Sequence, residues 1–430
     1  MIKSIKIKNF KSWSDPGEVR LAPVTLILGT NSSGKSSLLQ PVLLLKQTAF
    51  SADRTIHLNL GGDTNDHVDL GSFHTLLHHD AEPPRLGIRL SMEEIDIADG
   101  SPNELRFDAE YQRDSSFNPV VASLKLGNQD HEYRAIRREK AAYSIYHGQN
   151  TQAVGKSRSF SPERSIAFPA DAIAAFGENG TAVQDISLGI RRQLERVSYL
   201  GPLRTKPPRD FAWNHATPGL LDEDGRNVPA ILAAASESRK DPVLQDLLGS
   251  ISKWLKKMGL ADELLIKGGP RYRIELRIGS RHVNLKDVGI GVSQVLPVLV
   301  AANFTPPGST MLLEEPEIHL HPLAQAELAE MLVSTAKERN VQFLVETHSE
   351  YLFRRLQTII ARDDLEPDDT ALYFVRRIDG RSEIEALAPD DFGRIQNWPE
   401  NFFGRAMEET AQQMKYAMEK QAAKQTRRNG

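Results

Sequence analysis

The 430-residue chain contains no cysteine. That absence excludes a disulfide scaffold, a thiolate nucleophile and any Cys-ligated zinc or iron–sulfur centre. Long apolar runs are missing too. Stretches such as Val295–Phe304 fall well short of the roughly 20 residues a spanning helix needs. The opening MIKSIKIKNF alternates Ile with Lys or Ser, which reads as a strand and lacks the continuous apolar core of a signal peptide. Neither charge sign dominates: 53 Lys and Arg face 57 Asp and Glu, a net charge of −4 that excludes a uniformly basic nucleic-acid coat. No internal repeat and no sustained heptad pattern is present, which argues against a long coiled-coil arm. A soluble, cytoplasmic protein without a membrane partner is the expectation.

What is present is ordinary globular material, 40% apolar and 26% charged, enough for two or three domains. A strand, a turn-rich KSWSDPGEV and a second strand at Val24–Leu28 lead into a glycine-bounded loop and an apolar helix, Leu38–Leu45. Residues 86–145 alternate in short runs broken by Gly, Pro, Asn and Asp, the pattern of an antiparallel sheet. Residues 147–180 read as loops, the stretch ending IRRQLERVSYL as helix, 228–260 as helix again, and Arg271–Ile278 as a strand. In the final third, SQVLPVLV, TMLLEE and VQFLVETHS are short buried runs separated by helices, which predicts a parallel α/β sheet. A charged helix is expected after Phe402.

Four segments carry chemistry. Gly29–Ser36 is an unbroken G-x-x-x-x-G-K-S between strand and helix. Its glycines let the backbone wrap phosphates, with Asn31, Ser32, Ser33, Gly34 and Ser37 completing the cradle at the helix start. Lys35 is expected on the β- and γ-phosphates and the Ser36 hydroxyl on Mg²⁺. In TMLLEEPEIHLHP, Glu314 is the expected magnesium-orienting acid, one methylene longer than the usual Asp, and Glu315 the group that polarises the attacking water. VETHS places His348 at the end of another apolar strand, where it could reach the γ-phosphate region. In DVGIGVSQVLP, Gly289, Gly291 and Ser293 open a helix, a second anion site or a simple N-cap.

This order of parts resembles the ABC/SMC-type ATPases. PExHLHP, THS and RIQNWPENFF (Arg394–Phe403), with LGSFHTLL and YLGPLR, look more closely like stand-alone bacterial predicted ATPases of the AAA-15/AAA-21 kind. That group includes ATPase subunits of anti-phage systems such as Septu and the ATPase part of overcoming-lysogenization-defect nucleases. The resemblance covers residues 1–80, 197–225 and 283–404. It implies an ABC/SMC-type lobe of mixed and parallel sheets, built from 1–84 and 196–404, with an inserted β/α region at 85–195 and a helical tail at 405–430. It implies ATP and Mg²⁺ as cofactors and a homodimer or higher oligomer in which Gly289, Gly291 and Ser293 act in trans. His348 becomes the switch histidine, and a separate effector, a nuclease for instance, supplies the output in phage defence. Two departures stand out: Gly-Ile-Gly-Val-Ser replaces Ser-Gly-Gly, and the region Leu70–His74 holds no Q-loop glutamine, Gln40 and Gln47 lying on or just after the helix that follows the phosphate loop.

A self-contained DNA-processing nuclease is the competing expectation. It is disfavoured because only 82 residues follow His348 and no HNH or Toprim pattern is present. A transporter ATPase is disfavoured by the signature. Local basic runs at 131–164, 191–210 and Lys3–Lys11 keep DNA as a candidate partner, without any base-reading element. His67, His74, His78, His79 and Asp80 are expected to form an exposed polar face rather than a metal site.

Overall fold

A computed structural model describes residues 1–64, 66–95, 102–238, 241–398, 413–416 and 418. Ile2, Ile5 and Ile7 all enter the core although their spacing is uneven. A register shift between Ile2 and Ser4 resets the alternation and lets all three face inward.

That strand, β1 (Ile2–Lys8), pairs on one side with β2 (Glu18–Arg20) and on the other with β4 (Leu86–Ile95). The antiparallel sheet then continues through β5 (Pro102–Arg113), β6 (Pro119–Gly127), β7 (Glu132–Arg137), β8 (Tyr143–His147) and β9 (Gly155–Ser157). Residues 86–157 thus extend the sheet that the N-terminus begins.

The second sheet is mixed. Its order is β10 (Val197–Leu200), β14 (Thr310–Glu314), β15 (Gln342–Glu346), β3 (Val24–Gly29), β16 (Thr370–Ile378) and β17 (Arg381–Leu387). All neighbours are parallel except β16 and β17. A small antiparallel sheet of β11 (Glu263–Lys267), β12 (Arg273–Ile278) and β13 (Arg281–Asn284) completes the set among the described residues. The fold is mixed α/β, with parallel and antiparallel sheets.

The parallel strands are largely apolar along their middles because both faces are covered. Leu26, Leu313, Phe343 and Val345 enter one core. Helices α5 (Val228–Glu237), α6 (Pro242–Lys257), α7 (Ile290–Phe304), α8 (Pro322–Arg339) and α9 (Glu350–Ala361) contribute to it. Ile27, Leu312, Leu344 and Val375 face the other core, with α1 (Lys35–Phe50), α4 (Gly180–Glu195) and the antiparallel sheet. Two short helices, α2 (Phe73–Leu76) and α3 (Ala170–Ala175), sit in the connections.

Two local expectations need correction. VSYL does not continue a helix: α4 ends at Glu195, and Val197–Leu200 pairs with β14, as its β-branched and aromatic residues favour. Residues 147–180 are not all loop, since β9 and α3 form there. Pro399–Phe403 of the WPxxFF ending, and most of the tail helix, lie outside the described residues.

Candidate active site

Because β14, β15 and β3 run parallel, their carboxyl ends open on one edge of the sheet, where open α/β folds build their crevices. The phosphate loop leaves β3 there, Glu314 ends β14, and the Thr347-His348-Ser349 turn leaves β15.

The loop's shape depends on two glycines. Gly29 has φ 152 and lies so close to the Val375 carbonyl that no Cβ would fit. Gly34, the cap of α1, has φ 107 and is pressed against the Ser12 and Ser382 hydroxyls. The brace continues as Ser382 Oγ donates to the Ser33 carbonyl at 2.5 Å and buried Trp13 Nε1 donates to the Gly34 carbonyl at 3.1 Å. Ser37 is turned inward, its hydroxyl donating to the Gly34 carbonyl at 2.7 Å. Asn31 and Ser32 form the exposed tip.

Lys35 is buried at 4% exposure, with Nζ 3.0 Å from the Thr30 carbonyl, 3.0 Å from His348 Nε2 and 3.6 Å from Glu346 Oε1. Burial lowers its pKa, opposed by Glu346 and Glu315. His348 is also held below its ordinary value, first by burial and then by the Lys35 charge, which favours a neutral imidazole. Its Nε2 stands 3.7 Å from Glu315 Oε1.

Glu314 and Glu346 are register partners on adjacent strands. Burial, and then the neighbouring Glu346 charge, push the Glu314 carboxyl up to about 7, while the Tyr199 hydroxyl, donating to Oε1 at 3.0 Å, opposes that rise. Glu315 adopts φ 45, a left-handed conformation costly for a residue with a Cβ. It is held there by its N–H to the Glu346 carbonyl at 2.8 Å. Buried Arg204 clasps the same turn, donating to the carbonyls of Glu314 at 2.8 Å, Glu315 at 3.2 Å and Gln294 at 3.3 Å. Buried Glu317 accepts from Thr347 Oγ1 at 2.6 Å and from the His348 N–H at 2.8 Å, which fixes the turn carrying His348.

The fold therefore brings Gly29–Ser37, Glu314, Glu315 and His348 to one edge. Gly289, Gly291 and Ser293 open α7 beside the turn that follows Glu315, and they do not line the cleft next to His348. Gly291 packs on the His319 carbonyl, Ser293 borders a cleft with Lys206 and Pro297, and a Cβ on Gly289 would meet nothing within 4 Å. The cleft beside His348 is instead lined by Leu28, Gly29, Thr30, Gln325 and Tyr351.

Motif reading missed Glu346, Glu317, Tyr199 and Arg204. Each lies inside a segment already singled out; Glu346 ends an apolar strand as Glu314 does, and that position was the signal available for it. In the histidine cluster, α2 stops at Leu76, so His74 and His78 are not a helical pair. His78 is buried rather than exposed, and its ligating atoms fall within 4.8 Å of those of His79 and Asp80, but Arg381 already pairs with Asp80 at 2.6 Å.

A family model described as "AAA domain, putative AbiEii toxin, Type IV TA system" matches residues 24–354, the span from β3 into α9. The chain belongs to this AAA-domain family. A second model, "Protein of unknown function (DUF3696)", matches residues 365–413 of the same AAA-domain chain. No curated protein matches it. Among solved structures it is similar to an SMC head domain from Thermotoga maritima, at 14% identity and TM-score 0.42, covering 90% of this chain and 98% of that one. A SmcHead bound to the C-winged helix domain of ScpA gives 14% and 0.40, with 90% and 97% covered. An Smc head with an extended coiled coil, bound to the C-terminal domain of ScpA derived from Pyrococcus furiosus, gives 13% and 0.38, with 90% and 96% covered.

Proposed function

We propose that this AAA-domain protein is a Mg²⁺-dependent ATPase that closes around ATP as a homodimer and drives a separate effector, in prokaryotic anti-phage defence. The observation that carries the ATPase reading is the convergence of the Gly29–Ser37 cradle, Glu314, Glu315 and His348 on one sheet edge. Backbone amides at the start of α1 receive the phosphates, and Lys35, now held by Thr30 and His348, turns its ammonium to them. Ser36 and Glu314 are hard oxygen donors, the kind Mg²⁺ selects, and they would hold it. Bound there, the ion supplies charge neutralisation for the β- and γ-phosphates. Glu315 is the group that orients and polarises the attacking water, and neutral His348 beside it hydrogen-bonds the γ-phosphate region.

Dimerisation is supported by the same edge. Leu203 follows β10, Ile290 opens α7, Leu323 opens α8 and Tyr351 opens α9, and they are 86%, 54%, 71% and 51% exposed. Apolar side chains grouped around a nucleotide cleft suit a second copy that brings Gly289, Gly291 and Ser293 over the phosphates. In Glu315→Gln, ATP should convert monomer to dimer in light scattering after gel filtration, and a mass unchanged by ATP would refute the composite site. With that site intact, the purified chain should hydrolyse ATP and leave plasmid DNA uncut with Mg²⁺ or Mn²⁺. Cleavage lost on mutating carboxylates other than Glu314 and Glu315 would favour the self-contained nuclease.

One observation favours nucleic-acid contact as well. A basin of about 850 Å³ on the antiparallel sheet is lined by Arg113, Arg137, Arg138, Lys140 and Lys156, with Asp114 and Glu139 as the acids among them. Among the described residues none of these five has a carboxylate partner within 4.0 Å. Retardation of duplex DNA that weakens with salt, and is lost when Arg137, Arg138 and Lys140 become Glu, tests it.

A further inference from the structure

We propose that Glu346 is a second carboxylate ligand of the divalent cation, sharing it with Glu314 and Ser36. The proposal rests on the ATPase reading and adds to it a residue that reading gives no role.

Three observations converge. First, Glu346 and Glu314 face each other in register at the ends of adjacent parallel strands, about 4.8 Å apart. Second, Glu346 is only 5% exposed, and its Oε2 is buried with no hydrogen-bond partner, an oxygen left free beside the mouth of the phosphate loop. A buried carboxylate oxygen without a partner is a costly arrangement that a bound cation relieves. Third, its Oε1 stands 3.6 Å from the Lys35 ammonium; burial pushes the carboxyl up, and the Ser36 hydroxyl and that ammonium oppose the rise. When Lys35 turns to the phosphates, Glu346 loses that counter-charge, and a hard dication between it and Glu314 restores it. Two carboxylates, a hydroxyl and phosphate oxygens form a donor set suited to Mg²⁺ or Mn²⁺.

The carboxylate is also held by a stiff frame. Its carbonyl accepts the Glu315 N–H at 2.8 Å, and the next two residues are pinned by Glu317 through Thr347 Oγ1 and the His348 N–H. The competing role is simple: Glu346 could serve only as the counter-ion of Lys35.

Mn²⁺ separates the two roles. Free Mn²⁺ is followed by electron paramagnetic resonance in titrations of the full chain with a non-hydrolysable ATP analogue, and nucleotide affinity is measured separately in EDTA. Glu346→Gln should weaken Mn²⁺ binding at least tenfold while metal-free nucleotide affinity holds or rises, because a negative charge near the phosphates is gone. Glu346→Asp, which keeps the charge on a shorter arm, should fall between. Unchanged Mn²⁺ affinity in Glu346→Gln, with only the metal-free affinity altered, overturns the proposal in favour of the counter-ion role. Failure of the wild-type chain to bind nucleotide under either condition removes the ATPase reading and this proposal with it. A single cooperative thermal transition for Glu346→Gln, with wild-type circular dichroism below it, confirms that the variant folds even where the unpaired Lys35 lowers the midpoint.

Discussion

Replacing Arg204 with Met removes the clasp between α7 and the Glu314–Glu315 turn while keeping much of the side-chain volume. The guanidinium donates to three main-chain carbonyls. A bond from a charged donor contributes about 1.5–3 kcal/mol, so the three together contribute about 6 kcal/mol. Against this, burial lowers the guanidinium well below its ordinary value, to about 10, which at about 1.4 kcal/mol per pH unit costs about 3 kcal/mol. The net loss in Arg204→Met is therefore about 3 kcal/mol, seen as a fall of roughly 3–4 °C in the thermal midpoint. The functional effect should be selective. Arg204 helps hold Glu315 at φ 45, and nothing in its bonding touches Gly29–Ser37. ATP turnover should drop tenfold or more while the Kd for ATP changes by less than about threefold, and Arg204→Lys should recover part of the midpoint. A midpoint and turnover both near wild type, or a loss of ATP binding as large as the loss of turnover, would refute the reasoning.

Lys35→Ala should abolish measurable ATP binding in calorimetry, because charge-assisted bonds worth about 1.5–3 kcal/mol each disappear; Glu315→Gln should bind ATP and fail to turn it over. The Glu314 carboxyl, raised to about 7, must ionise to hold metal, so Mg²⁺-dependent turnover should fall as pH drops through 7. Tyr199→Phe removes a bond that favours the charged form and should move that acid limb to higher pH. In the metal-free protein the folded state keeps the Glu314 proton that the unfolded chain releases near 4.5, so this group's contribution to stability is full below 4.5 and is lost as pH rises to 7. For the trans arrangement, mixing Lys35→Ala with Gly289→Asp should restore turnover to about one site per heterodimer. Gly289 is the right partner because its Cβ direction is open, whereas a side chain on Gly291 would strike the His319 carbonyl. Zero turnover from a folded, paired mixture would remove that arrangement.

The parallel sheet and the phosphate loop were readable because apolar strands, glycines and a following helix are local patterns. The loop's braces were not. Ser382 meets Ser33 across 349 residues of chain, and Trp13 reaches back to α1 from a turn read only as a connection. Glu314, Glu315 and His348 could be found by their place at strand ends. Glu346 sits in the same VETHS run but reads as one more polar exit, because its burial depends on β14 and β3 lying on either side of it. Arg204 looks like any member of a basic run until Gln294 and Glu315 close around it. The DVGIGVS segment was legible as a helix start, while its packing against the His319 carbonyl follows from the path of α7.

The strand that delivers the phosphate loop lies between β15 and β16, whose residues are made more than 300 positions later. At ribosomal rates of roughly 5–20 residues per second, Val24–Leu28 waits about 15 s to 1 min for its first partner. The antiparallel sheet can form in the meantime, since β1 needs only residues up to β4 and the following strands are hairpin neighbours. Until then a strand apolar at all but Thr25 has two unpaired edges, the kind of segment that invites association with other chains. Nascent or truncated forms ending before Glu346 should therefore depend on a chaperone, and should aggregate through β3 while their N-terminal sheet is already folded.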